Sequence, residues 1–194
     1  MTLDRRGGFS LVEVLVALGL GLSLAVAAVA ATTTALRHLV RTALRAEAED
    51  LAAMAVEAFT LDVRRAGFDP RAAGAAPLAE ATTARLVLDA DLDGDGAIDP
   101  ASEEHTTLAC DVPSGRISRI VGSQSLPLAN GVVACDFSYA DRSGAAIAVP
   151  VAGLDATTRR RVGRATLAVA VRPPGSAVAA TATATTTIAL RVTP

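Results

Sequence analysis

The chain has no tryptophan and no lysine, and aromatic residues make up only 3% of its 194 positions. A core must therefore be assembled mainly from Ala, Val, Leu and Ile. Histidine and cysteine are equally scarce, with two of each. Two thiols cannot complete a Cys-rich zinc site, and neither His38 nor His105 adds a recognisable ligand spacing. No Ser/Cys–His–acid arrangement can be assigned roles from spacing, so the sequence offers no catalytic machinery. All 18 basic residues are arginine, scattered apart from Arg159-Arg160-Arg161, and the net charge is −2, so no basic face indicates nucleic-acid binding. No basic residue lies between Phe9 and Leu36, an otherwise apolar stretch that nevertheless contains Glu13.

That carboxylate carries the most information. A charged side chain within a membrane helix costs about 2.5–3.5 kcal/mol and needs a partner. The leader Met1–Gly8 is polar, with Arg5 and Arg6 next to the apolar run, which predicts a cytoplasmic N-terminus and an exported remainder. The run exceeds the ~20 residues that a helix needs to span the hydrocarbon. Cleavage after Gly8 would create the missing counter-ion, the α-amino group of Phe9. Two other readings compete. An ordinary secretory signal would be cut at Ala25-Val26-Ala27 or Ala28-Val29-Ala30, but such signals avoid an acidic residue in the apolar region. A plain single-span anchor explains neither Gly8-Phe9 nor the place of Glu13.

Gly8-Phe9-Ser10-Leu11-Val12-Glu13 resembles the class III signal of type IV prepilins and type II secretion pseudopilins. The resemblance implies cleavage after Gly8 by a prepilin peptidase that also methylates Phe9. It implies that Glu13 pairs with the N-terminal amine of a neighbouring subunit, with partners among other pilins and at an inner-membrane assembly platform. Shorter stretches are similar to PilW-like minor pilins: Arg64-Arg65-Ala66-Gly67-Phe68, the Asp-Gly-Asp-Gly loop before Glu103-Glu104, Leu128–Val132 leading into Phe137-Ser138-Tyr139, and Arg160-Arg161-Val162. Some are shared with the J-type pseudopilin of type II secretion. The expectation is a minor pilin held in the inner membrane with a periplasmic head, then carried to the pilus surface; the pseudopilin is the alternative.

Helical periodicity continues through Leu36, Leu39, Val40, Ala43, Leu44, Leu51, Met54, Ala55, Ala58, Phe59 and Asp62, with Arg37, Arg41, Arg45, Glu49 and Glu57 on the polar face. Arg64, Arg65, Gly67 and Pro70 end the helix near Ala66. At ~1.5 Å per residue the rod is on the order of 85 Å long. Four segments follow: leader 1–8, membrane or filament-core helix 9–36, amphipathic helix 37–66, and a β-rich head 67–194. Residues 71–83 read as a loop. Strands are expected over 85–89, 106–111, 117–121, 132–139, 147–151, 164–172 and 185–192, the last two forming a hairpin around Pro173–Ser176. Strands grouped after a helix favour an α+β protein, with the helix packed on an antiparallel sheet.

Within the head, Asp89–Asp99 has carboxylates at alternate positions and glycines that let the backbone curl, a composition suited to calcium. Candidate ligands are Asp91, Asp93, Asp95, the Ala97 carbonyl and Asp99, with Gly96 at the turn and Ile98 as anchor. The closing Glu of an EF-hand falls on Ser102, with Glu103 one position later. A solvated acidic turn needing no metal is the competing reading, and a secreted calcium-dependent binding module is a rival function. In a domain expected to fold outside the cytoplasm, two cysteines permit a Cys110–Cys135 disulfide, against two reduced thiols packed as small hydrophobes.

Overall fold

The computed structural model describes residues 10–173 and 181–191. The chain divides into two compact units, Met1–Ala43 and Leu44–Pro194. A single α-helix, α1 (Leu11–Arg65), contributes to both. Ser10 begins it: its carbonyl accepts the N–H of Val14 at 3.2 Å and its hydroxyl the N–H of Glu13 at 3.3 Å, one half of a capping box. No proline interrupts the helix, and the hydroxyls of Ser23, Thr32, Thr33 and Thr34 donate back to carbonyls three or four residues earlier, so these groups need no water.

At the other end, Gly67 leaves the helix at φ 72° and donates its N–H to Asp89 O at 2.8 Å. A side chain there would meet Arg191 O at 3.0 Å and Pro77 Cβ at 3.1 Å, so the conformation and the space both require glycine. The stripe that enters the core is Ala48, Ala52, Ala55, Phe59, Asp62 and Val63. This corrects the expected stripe: Leu36, Leu39, Val40 and Met54 are exposed, and the small residues Ala48 and Ala52 replace Met54 at the contact.

Two antiparallel sheets complete the head, where one was expected. The first is a five-stranded meander, β1 (Leu78–Ala81), β2 (Arg85–Asp89), β3 (His105–Asp111), β4 (Arg116–Val121) and β5 (Gln124–Asn130), in chain order. The second, in order β7-β6-β8-β9, contains β6 (Val132–Asp141), β7 (Ala146–Ile147), β8 (Val162–Val171) and β9 (Ala182–Ala189). Gly131, at φ 75°, turns the chain from one sheet to the other. A short helix, α2 (Ala156–Arg159), is capped by Asp155 and precedes β8.

Three expectations are corrected. The loop over 71–83 contains β1. The strand over 147–151 stops at Ile147, because Pro150 cannot donate to a ladder. β5 escaped notice because Pro127 interrupts it, which an edge strand tolerates. The expected hairpin is the β8–β9 pair, Arg164 opposite Ala189 through Val171 opposite Ala182; residues 174–176 of its loop lie outside the described residues.

Although aromatics are rare, they hold the centre. Phe59 of α1 and Phe137 of β6 are both fully buried and stack with ring centroids 6.1 Å apart. Leu86, Leu108 and Ile117 of the first sheet and Leu167 and Val171 of the second surround them. Cys110 of β3 and Cys135 of β6 form a disulfide, Cα–Cα 5.8 Å, that joins the two sheets.

Candidate functional site

Two regions carry the residues singled out in the sequence. In the first, Gly8 and Phe9 lie outside the described residues. Glu13 sits in the first turn of α1, on an exposed surface. One face there is lined by Glu13, Ala17, Gly21 and Ala25, flanked by Val14, Leu18 and Leu22. Small residues at four-residue spacing below a carboxylate let another helix approach closely. Leu11, Val12, Leu15, Leu20 and Leu24 are exposed, a continuous apolar surface that water does not tolerate at this extent. The helix is long and apolar enough to cross a membrane, with a mean hydropathy of 2.5 over its best window, none of it buried.

The second region is the loop between β2 and β3. Asp91 is 1% exposed; its Oδ1 accepts the N–H of Gly94 at 2.7 Å and its Oδ2 that of Gly96 at 3.0 Å. Glu104, 5% exposed, accepts from Leu92 and Asp93 at one oxygen (2.7 and 3.1 Å) and from Asp99 at the other (2.9 Å). These backbone donors, Asp99 first, hold the Glu104 carboxyl below its ordinary value against the opposing effect of burial. Carboxylate oxygens of Asp91, Asp93 and Glu104 all lie within 4.8 Å of one another. Oxygens bound to one calcium at 2.3–2.6 Å would fall within such a spacing, so the donor set suits a hard cation.

The remaining sequence candidates divide. Asp95 and Asp99 accept the amides of Ala97 and Ala101 at 2.7 and 2.9 Å and stand outside the three-carboxylate group, and Ala97 is exposed. Glu103 turns away to Arg65 at 3.1 Å, with Arg119 at 4.0 Å. Its neighbour Glu104, which the sequence alone places in a solvated charged loop with Glu103 and His105, takes the inward place. Both glutamates lie in the turn that precedes β3, where Thr106, Thr107 and Leu108 are all buried, so no strand alternation marks Glu104; the amides of Leu92, Asp93 and Asp99 set its place. At the loop's edge His105 Nδ1 is 2.8 Å from Asp89 Oδ1; burial raises the Asp89 carboxyl, and the histidine partly offsets this.

Behind the loop, Asp62 accepts from Arg119 at both oxygens, 2.8 and 3.0 Å. Asp62 is 4% exposed, and this bond raises the Arg119 guanidinium further above its ordinary value. The pair fixes the last turns of α1 to β4.

A protein with a long exposed apolar N-terminal helix, an acidic residue in its first turn and an antiparallel β head belongs to the pilin-like α+β class. Residues 3–29 match the prokaryotic N-terminal methylation motif. This match supports membership of the type IV pilin and pseudopilin family, whose members are structural rather than enzymatic. It also implies processing by prepilin peptidase and assembly with pilins from a membrane anchor. No curated protein and no solved structure matches the chain.

Proposed function

We propose that the chain is a minor pilin that primes or joins a type IV pilus. One observation carries this reading: Glu13 stands in the first turn of an exposed apolar helix within the matched motif, five residues after the Gly8–Phe9 junction. Cleavage after Gly8 leaves Phe9 with a free, methylated amine. Glu13 of one subunit attracts the amine of another as the helices leave the inner membrane, with the N-terminus cytoplasmic and the head periplasmic beforehand. Burial of apolar helix surface, at ~25 cal/mol per Å², supplies the stability. The Glu–amine pair supplies register, because an unpaired charge there is costly and a matched one is tolerated.

Mass spectrometry of membrane and sheared extracellular fractions tests the reading. A chain starting at methylated Phe9 in the sheared fraction is expected. The same terminus confined to membranes favours the J-type pseudopilin; a start after Ala27 or Ala30 removes Glu13 and overturns filament assembly in favour of a secreted binding module. Glu13→Ala should leave insertion and head folding intact while reducing incorporation.

The grouping of Asp91, Asp93 and Glu104 favours a second, smaller proposal, that calcium rigidifies the β2–β3 loop. Neutralising clustered carboxylates would raise the melting temperature by linkage. A calcium titration that left both heat and melting temperature unchanged would remove the metal and leave a loop held by its own amides.

A further inference from the structure

The head is electrically divided along its sequence. Residues 44–111 carry 15 acidic and 5 basic side chains, whereas residues 112–194 carry 3 acidic and 9 basic. Arg159, Arg160 and Arg161 adjoin in sequence with Arg164 three positions on, and folding brings Arg142 to them. The β6–β8 register sets Ala140 opposite Arg164 and Asp141 opposite Val162, so Arg142, leaving β6, arrives beside the start of β8. Its backbone lies 2.8 Å from where a Cβ on Gly163 would stand, and the Arg164 guanidinium lies 3.4 Å from the equivalent point on Gly144. Arg159 closes α2 and Arg160 and Arg161 follow it directly into β8.

Four of these five, Arg142, Arg160, Arg161 and Arg164, are exposed; Arg159 is half-buried and donates to Leu154 O at 2.9 Å. Among the described residues none of the five is within ion-pair distance of a carboxylate. The two local acids are engaged in shaping the backbone: Asp141 accepts from Ser143 and Ala145, and Asp155 caps α2. The corner therefore keeps a net positive charge. The β2–β3 loop is its complement, presenting Asp93, Asp95 and Asp99 exposed on a backbone fixed by the buried Asp91 and Glu104.

We propose that the arginine corner formed by Arg142, Arg160, Arg161 and Arg164 docks the acidic β2–β3 loop of a second copy of this chain. Guanidinium forks pair with carboxylates two bonds at a time, which gives such a contact geometry as well as attraction. Like patches repel, so the corner of one copy meets the acidic loop of the other and not its corner, once in a head-to-tail pair or twice in a reciprocal two-fold pair. Both partners are solvent-exposed, so the attraction is screened by salt and acts mainly on encounter and orientation.

The test uses the chain in detergent micelles, carried on two different tags, with a chelator present so that no divalent cation competes for the carboxylates. Copies should capture one another at low salt and lose this capture as ionic strength rises from about 0.05 to about 0.5 M. Arg160→Glu with Arg161→Glu, or Asp93→Arg with Asp95→Arg, should each reduce capture at least about tenfold when both copies carry the same change, about 1.4 kcal/mol. Mixing the two variant types should restore it, because the intact loop of one then meets the intact corner of the other; restoration also shows that both variants are folded. Capture indifferent to either pair of changes, or failing to return in the mixture, overturns the proposal. So does loss of binding to anionic phospholipid vesicles in the Arg160→Glu, Arg161→Glu variant with self-capture unchanged, which would assign the corner to a membrane surface. The contact does not involve Glu13, so its failure leaves the N-terminal processing experiment standing.

Discussion

Asp62 shows how a single residue can be misread from one dimension. It falls on the apolar stripe of α1 by spacing, and the structure does bury it, at 4% exposure, but as the acceptor of a two-bond pair with Arg119, 57 positions away. No local pattern announces a partner at that separation. Asp62→Ala should cost about 3 kcal/mol in chemical unfolding, because a largely buried guanidinium loses both its hydrogen bonds and keeps only the exposed Glu103, 4.0 Å away. Asp62→Leu combined with Arg119→Met should recover most of it; a double variant no better than the single would mean that the hydrogen bonds themselves dominate. The pH dependence follows from the other carboxylates. Asp69 and Glu104 are held below their ordinary values chiefly by backbone amides, and Asp111, Asp141 and Asp155 chiefly by hydroxyls. For each, the folded value lies below the unfolded one. Their stabilisation is therefore complete above the unfolded range, near pH 4, and is lost as pH falls through the folded values. Asp89, raised by burial, acts with the opposite sign and offsets part of this. Glu104→Gln should lower stability at neutral pH and flatten the acid limb, since an amide nitrogen would replace one acceptor oxygen before the donors of Leu92, Asp93 and Asp99. An acid limb as steep as in the unchanged chain would remove Glu104 from that role.

At the scale of elements, legibility tracked how local the determining signal was. The stop of the helix at Arg64-Arg65-Gly67 and the strand over 85–89 are specified by contiguous residues, and they appear within a residue of expectation. β1 was missed because a short edge strand needs few apolar residues, and β5 because Pro127 argues against a strand unless its outer edge is known to be unpaired. The split into two sheets was not legible at all. It depends on Gly131 turning β6 away from β5 and onto β8, whose partner residues lie some 30 positions on. The disulfide ties these sheets together. Removing it by Cys110→Ala with Cys135→Ala should cost roughly 3 kcal/mol, the entropy of a loop of this length. A reductant should lower the melting temperature of the unchanged chain toward that of the double variant and leave the variant where it is. A reductant without effect on the unchanged chain would mean that the two sheets are held by packing alone.

For the whole molecule, the core cluster contains nothing N-terminal to Ala52, and Ala48 is the first buried apolar residue among those described. The residues before it contribute apolar surface that must be covered by lipid or other helices, and none of the side chains that surround Phe59 and Phe137. Folding of the head and anchoring of the chain are therefore separable in energy, although one unbroken helix serves both. A chain starting at Leu44 and exported to an oxidising compartment should be soluble and should unfold in one cooperative transition, with Cys110 and Cys135 paired. Its first turn should fray, since the N–H groups there lose the carbonyls of residues 40–43. Those amides should exchange quickly in hydrogen exchange, while Phe59, Val63 and the amides of β6 and β8 should exchange only with global unfolding. The same fragment carries both the arginine corner and the acidic loop, and it lacks Glu13. A head that melted without a cooperative transition would show that residues 11–43 supply part of the fold, and the division of labour along α1 would have to be redrawn.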